Sequence, residues 1–207
     1  MEKVFIYWDN PNIFNAARQL AEEREQGPDA RRRLRINFEN LYHLARNNRE
    51  VARARAAGLM PPEARRFWSQ LEGQGVQVDL IERGTRGISE HENPGLIMQQ
   101  YMLEDALDFN GDPGIAVMLT GESAGCYSGA GYHRALARMR QNNWRIEVLS
   151  WERACDRPLK EWAEQNGVFI PLDDYYEAIT YLEPSDPGPV MTDPRQSAEL
   201  DLSLRAC

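Results

Sequence analysis

The chain has 207 residues and a mass of 23.8 kDa, which suits one domain with a tail and is too short for two full catalytic domains. Apolar residues make up 42% and charged residues 27%, so a wholly disordered or collagen-like chain is excluded. The longest aliphatic or aromatic runs, at 4–8 and 115–119, have five residues each, whereas a membrane-spanning helix needs about 20. We therefore predict a folded protein without a transmembrane helix.

The N-terminus and the cysteines indicate the cytoplasm. The apolar run after Met1 is too short for the core of a signal peptide. The three cysteines, Cys126, Cys155 and Cys207, have no paired spacing, which is typical neither of a disulfide framework nor of a zinc site. We expect reduced thiols and a cytoplasmic protein.

Charge is distributed unevenly along the chain. The net charge of −8 argues against a general affinity for nucleic acid, because that affinity comes from Lys and Arg displacing counterions from phosphates. Between Arg31 and Arg66, however, ten arginines minus three glutamates give a local balance of +7. Two interpretations stay open: a solvated surface, which is the usual meaning of a charge run, or a patch that guides RNA.

The first third of the chain predicts a strand followed by helices. Residues 4–8 are aromatic and β-branched and are followed by Asp9-Asn10-Pro11, which predicts a buried strand and then a polar turn. Apolar residues at 13, 14, 16, 17, 20 and 21 have the spacing of a helix over 13–24. We expect an Arg-rich loop next, and then a helix over 38–47 capped by Asn37.

Residues 50–57 require a choice between helix and strand. Their alanines favour a helix by composition. We predict a strand, because helices are predicted on both sides, at 38–47 and 63–74, and because the clear short strands at 76–81 and 115–120 also alternate with helices. A strand at 50–57 keeps that alternation.

The rest of the chain continues the alternation. Strands are predicted at 146–151 and 168–171, and helices at 96–109, 132–142, near 159–165 and near 175–181. This order predicts an α/β fold, a three-layer α/β/α sandwich with a mainly parallel central sheet of five or six strands. We expect one domain over 1–183 and a flexible tail over 184–207, where Pro, Asp, Ser and Gly accumulate without periodicity.

Polar residues follow two of the predicted strands, where parallel sheets bind ligands. They are Asp9, Asn10 and Asn12 after the first strand, and Thr120, Gly121, Glu122 and Ser123 after the strand at 115–120. If these strands are neighbours, Asp9 and Glu122 converge and can hold Mg²⁺ or Mn²⁺ through oxygen ligands. The alternative is that Asp9 and Asn12 only cap the following helix. The two roles are compatible.

A glycine-rich loop follows the strand at 115–120. Residues 121–131 contain four glycines and two serines, and backbone N–H groups of such a loop can bind phosphate. The loop lacks a Walker pattern and follows the wrong strand for a dinucleotide fingerprint, and Cys126 with His133 shows no sign of a thiolate environment. We therefore predict neither a nucleotide cofactor nor a small-molecule hydrolase.

The ordered motifs across about residues 4–182 resemble the NYN domain, a member of the PIN-like metal-dependent nucleases. Asp9-Asn10-Pro11-Asn12 resembles the Asp-x-x-Asn opening of that family, and Thr120-Gly121-Glu122 resembles its Ser-Gly-Asp motif. Residues 144–151 also lie where the family has its next strand. The resemblance implies a Mg²⁺- or Mn²⁺-dependent ribonuclease with RNA as its substrate.

The resemblance also implies the roles of individual residues. Asp9, Asp105 and Glu122 are the expected catalytic metal ligands, and Asn12 orients the scissile phosphate. The alternative for Asp105 is an exposed acid beside Glu104 and Asp108. The expected contacts with RNA are Asn12, Gly121, Ser123, Arg53 and Arg55.

The sequence departs from the family pattern at several acids. Glu122 replaces an aspartate, and the second acid of that motif falls on Ala124. The acid pair of the preceding helix falls on Gln99 and Asp105, or in another register on Gly95 and Tyr101. These departures keep a second hypothesis open, a non-catalytic RNA- or nucleotide-binding or adaptor module. The oligomeric state stays open as well.

Overall fold

A computed structural model describes residues 2–25, 28–57, 62–81, 94–120, 131–184 and 193–205. The strands are β1 (Lys3–Asp9), β2 (Leu34–Ile36), β3 (Glu50–Ala57), β4 (Gln77–Ile81), β5 (Ile115–Leu119), β6 (Arg145–Ser150), β7 (Val168–Pro171) and β8 (Thr180–Leu182). The α-helices are α1 (Asn10–Arg24), α2 (Pro28–Arg33), α3 (Phe38–Arg46), α4 (Pro62–Gly73), α5 (Pro94–Asp108), α6 (Tyr132–Gln141), α7 (Arg157–Asn166) and α8 (Tyr176–Ile179). In this part of the chain, no helix is long and apolar enough to cross a membrane.

Six strands form a parallel sheet in the order β4-β3-β1-β5-β6-β7. From β1 the chain adds β3 and β4 on one side, and then returns across β1 to add β5, β6 and β7 on the other. The order reverses between β1 and β5, which is the switch point where such sheets bind ligands. The predicted α/β sandwich with a parallel central sheet is confirmed.

The central strand β1 is buried on both faces. Val4, Ile6 and Trp8 pack into one core cluster with α1, α3 and α4. Phe5 and Tyr7 pack into the other with α5, α6 and α7. A strand covered on both sides needs apolar residues at every position, which explains the unbroken run in the sequence.

The strand predicted at 50–57 is confirmed as β3, with the same bounds. It pairs in parallel with β1, and Tyr7 lies opposite Arg55. Ala54 and Ala56 are buried on the same face as Trp8. Pairing and burial therefore override the helix propensity of the alanines.

Two predicted segments are wrong. The expected Arg-rich loop contains α2 and β2, and the last predicted helix, 175–181, contains the short α8 followed by β8. β2 and β8 form a separate antiparallel pair, with Leu34 opposite Leu182. Each strand has three residues, so the hydrogen bonds that define it come from a partner far away in the sequence.

The sequence predicts a flexible tail from residue 184. Residues 193–205 of that tail, called here the C-terminal segment, contact the domain. Asp193 accepts a hydrogen bond from the Leu182 backbone at 2.8 Å, and Arg195 donates to Glu25 at 2.6 Å. These hydrogen bonds and ion pairs hold a segment that has little apolar periodicity. Residues 185–192 and 206–207 lie outside the described part of the chain.

The C-terminal segment ends in a buried ion pair. The Arg205 side chain is fully buried and donates to Glu147 Oε2 at 2.6 Å and to the Leu44 carbonyl oxygen at 3.1 Å. Arg49 donates to both carboxylate oxygens of Glu147, at 2.6 and 2.7 Å. Burial alone would raise the pKa of Glu147, but Arg49 and Arg205 lower that pKa below its ordinary value of 4.5.

We expect Arg205→Met to lower the free energy of unfolding at pH 7 by about 3 kcal/mol, because a buried carboxylate loses one of its counter-charges. Because the pKa of Glu147 is lowered in the folded state, its ionised carboxylate stabilises the fold above the ordinary pKa of 4.5. This contribution is lost as the pH falls through the lowered pKa. The difference between wild type and variant should therefore shrink in urea titrations below that pH.

The matched control is Arg153→Met, since the Arg153 side chain is 74% exposed and pairs with Glu23 at the surface. It should change the free energy of unfolding by less than about 0.5 kcal/mol. Equal stability of wild type and Arg205→Met at pH 7 would contradict an anchoring role for the C-terminal segment.

Candidate functional site at the switch point

Asp9 is the last residue of β1 and the N-cap of α1. Its carboxylate accepts hydrogen bonds from the Asn12 backbone N–H at 3.4 Å and from the Asn12 side-chain amide at 2.6 Å. The predicted capping role is confirmed for Asp9, whereas Asn12 lies inside the first turn of the helix and donates to the cap. The helix begins at Asn10, earlier than predicted, because Pro11 suits the first turn of a helix.

Thr120 directly follows β5, the neighbour of β1 at the switch point, and is fully buried. Asp9, only 5% exposed, lies at the carboxyl end of the adjacent strand. The strands that precede the two motifs are therefore neighbours, and Asp9 and Thr120 lie at the same edge of the sheet. Gly121, Glu122 and Ser123 continue from Thr120 and lie outside the described residues.

Tyr132 is a further residue of this site. It is the first residue of α6, it is buried, and its hydroxyl donates to Asp9 Oδ2 at 2.7 Å. Burial, together with the charge and hydrogen bond of Asp9, raises the pKa of Tyr132 well above 10.0, so the phenol stays protonated and keeps donating. Tyr132 is not among the predicted site residues, although its position directly after the glycine-rich loop is a usable signal.

Asp105 belongs to a second polar cluster on the same face of the sheet. Its carboxylate accepts from Tyr7 Oη at 2.6 Å and from Arg53, and Arg55 Nη2 lies 3.6 Å away. Tyr7 and Arg55 each precede the end of their strand by two residues, about 6–7 Å along the strand. Asp105 is therefore held by side chains that start two residues before the strand ends, whereas Asp9 is itself the last residue of its strand.

Arg55 has acidic partners on several sides. Its guanidinium lies 3.4 Å from Asp79 and 3.8 Å from Glu104, and it packs over the Tyr101 ring at 3.9 Å from the centroid. The residue is 5% exposed. We call Arg53, Arg55, Asp79, Glu104 and Asp105 the arginine cluster.

These contacts change the expectations for three residues. The alternative that Asp105 is an exposed acid is wrong, because the residue is 1% exposed. Its contacts favour a counter-ion of arginines over a metal ligand, since both oxygens already bind donors. Arg55 contacts carboxylates of the protein itself, whereas the Arg53 side chain is 31% exposed and accessible to solvent.

Most of the arginines between residues 31 and 66 whose side-chain contacts the structure describes form ion pairs with Asp or Glu. The pairs outside the arginine cluster are Arg31 with Glu22, Arg32 and Arg33 with Asp29, Arg35 with Glu183, and Arg49 with Glu147. These pairs neutralise much of the local positive balance. The segment is thus a set of surface and buried ion pairs more than a free basic patch.

Within the described ranges, no group of three or more His, Cys, Asp or Glu side chains is arranged to hold a metal ion. Glu122, one of the three predicted ligands, lies outside those ranges. The predicted set of Asp9, Asp105 and Glu122 therefore stays a prediction.

Fold and site together define a parallel α/β protein with a buried acid at its switch point. No family model and no curated protein matches the chain. Among solved structures, the chain is similar to a protein of unknown function from Vibrio parahaemolyticus, at 20% identity and a TM-score of 0.54. The match covers 84% of this chain and 94% of that one. At this identity the likeness supports the fold alone.

The effect of Asp105→Asn on stability distinguishes the two roles of Asp105. If Asp105 is the buried counter-ion of two arginines, Asp105→Asn should lower the free energy of unfolding by about 3 kcal/mol. A carboxylate held in a cluster of acids would instead repel its neighbours, and its replacement would stabilise the metal-free protein. Urea unfolding in EDTA measures the sign.

Asp108→Asn is the matched control, because Asp108 is on the same helix and is exposed. It should shift the unfolding free energy by less than about 0.5 kcal/mol. A stabilising effect of Asp105→Asn would overturn the counter-ion assignment.

Proposed function

We propose that the protein is a metal-dependent ribonuclease with its site at the switch point between β1 and β5. The observation that carries the proposal is Asp9, a buried carboxylate at the carboxyl end of the central strand, oriented by Asn12 and Tyr132. The adjacent strand β5 ends at Leu119, directly before Thr120, where the motif containing Glu122 begins. RNA as the substrate and the cytoplasm as the compartment come from the sequence analysis and are part of the proposal.

The donor atoms at this edge suit Mg²⁺ or Mn²⁺. Carboxylate oxygens are hard ligands, and Mg²⁺ is commonly bound by one or two carboxylates, with water and substrate phosphate completing its shell. Asp9 and Glu122 would supply two carboxylates. Asp105 does not fit as a third, because the guanidiniums of Arg53 and Arg55 beside it repel a cation.

The bound ion would activate water and stabilise the charge that develops on the phosphodiester. Residues of the chain would support this chemistry in two ways. Asn12 and Tyr132 donate to the Asp9 carboxylate and hold it in one orientation, and neither of these two donors carries a positive charge. Arg53 is partly exposed and can pair with an RNA phosphate.

Asp9→Asn should reduce Mn²⁺-dependent cleavage of single-stranded RNA at least about 100-fold, because the charge stabilisation supplied by a metal is worth several kcal/mol. Glu122→Gln should do the same. Tyr132→Phe, which leaves the carboxylate but removes one of its orienting donors, should weaken the apparent Mn²⁺ affinity by about 10-fold.

The matched control is Asp112→Asn, an exposed acid that precedes β5 and therefore lies at the opposite edge of the sheet. Its cleavage rate should equal that of the wild type. If Asp9→Asn and wild type cleave equally, the activity is a contaminant or lies elsewhere, and the proposed site fails.

A second function, a non-catalytic RNA- or nucleotide-binding module, is favoured by one observation. Asp105 is taken up by the arginine cluster, and Gln99 and Ala124 stand where the family pattern has acids, so fewer acids remain for a metal. RNA binding that persists in EDTA, is unchanged in Asp9→Asn and occurs without cleavage would favour this function over the first.

A further inference from the structure

The outer face of α5 carries a stripe of leucines. Leu96, Leu103 and Leu107 are 48%, 37% and 62% exposed. At 3.6 residues per turn they lie within about 40° of one another, opposite the buried Met98 and Met102. Within the described residues, four large hydrophobic side chains are exposed, and three of them are in this stripe. Contiguous exposed apolar groups of this kind mark interaction surfaces.

The spacing of the stripe is self-complementary. Together with Gln100, the leucines occupy positions 96, 100, 103 and 107, which are symmetric about the midpoint between residues 101 and 102. A second α5 running antiparallel would therefore place Leu96 opposite Leu107 and Gln100 opposite Leu103, twice over. Contacts that repeat in this way are what a two-fold interface requires.

The charges of α5 favour the same arrangement. The helix contains no Lys, Arg or His, and its two accessible acids, Glu104 and Asp108, are both in the C-terminal half, whereas Asp105 is buried and paired with arginines. In a parallel pair, the acidic halves would face each other. In an antiparallel pair, each acidic half lies beside the neutral N-terminal half of the other helix, where the helix dipole is positive.

We propose that the protein forms a homodimer through an antiparallel pair of α5 helices related by a two-fold axis. The occupant of the leucine stripe is thus the same stripe of a second copy. A single pair of helices buries less than a standard interface of about 1,600 Å², and we expect a reversible dimer with a dissociation constant on the order of micromolar. This interface does not depend on the proposed ribonuclease activity.

The test uses sedimentation equilibrium of the full chain from about 1 to 200 µM. Wild type should pass from monomer to dimer over this range. Leu107→Glu places a carboxylate at both symmetric positions of the interface and should raise the dissociation constant at least about 100-fold. Because Leu107 is 62% exposed in the monomer, the fold should survive, which circular dichroism checks.

Leu204→Glu is the matched control, since Leu204 is 65% exposed and lies outside α5. It should dimerise like the wild type. A wild-type chain that stays monomeric throughout the range, or equal dissociation constants for Leu107→Glu and Leu204→Glu, would overturn the proposal. If the wild type stays monomeric, the leucine stripe would instead be a surface for an unrelated protein.

The orientation has its own test, in a chain with Cys126 and Cys207 replaced by serine. A Leu96→Cys variant and a Leu107→Cys variant should form a disulfide with each other when mixed and oxidised, and neither should link efficiently to itself. Efficient self-linking of each variant would indicate a parallel pair and overturn the antiparallel arrangement.

Discussion

The parallel pairing of β1 with β3 on one side and β5 on the other is the constraint on which the rest of the structure depends. A central strand is covered by helices on both faces, so its residues are apolar until the chain reaches the edge of the sheet. Asp9 is the first carboxylate after that apolar run. A carboxylate that is only 5% exposed is stable there because the Asn12 amide and the Tyr132 hydroxyl donate to it.

The two buried aspartates of this sheet face have different electrostatic surroundings. The Asn12 amide and the Tyr132 hydroxyl, which donate to Asp9, carry no charge. The guanidinium of Arg53 donates to Asp105 and that of Arg55 lies beside it, and both offset its negative charge. Each aspartate also accepts a hydrogen bond from a buried tyrosine, Tyr132 or Tyr7. A helix that must be fixed to a sheet benefits from ion pairs like those of Asp105.

Local patterns predicted most of the fold, and long-range contacts account for what they missed. The strand at 50–57 followed from its place between helices, and the Asn37 cap from its position before an apolar helix. Arg53 and Arg55 resembled a surface charge run because their partner, Asp105, is about fifty residues away in the sequence. Tyr132 is 123 residues from Asp9. Nothing local in a sequence marks such pairs, since either residue alone has an ordinary surface role.

The helix α5 shows how one element can serve both a core and a surface. Its inner side packs Met98 and Met102 into the core, and Asp105 ties the same side to β3 through Arg53 and Arg55. The outer side therefore belongs to a helix that is already fixed, so binding at this side does not have to order the helix first. A short apolar stripe on a flexible segment would lack that advantage. The ion pairs that remove Asp105 from the candidate metal site thus make the opposite side of its helix a better surface for association.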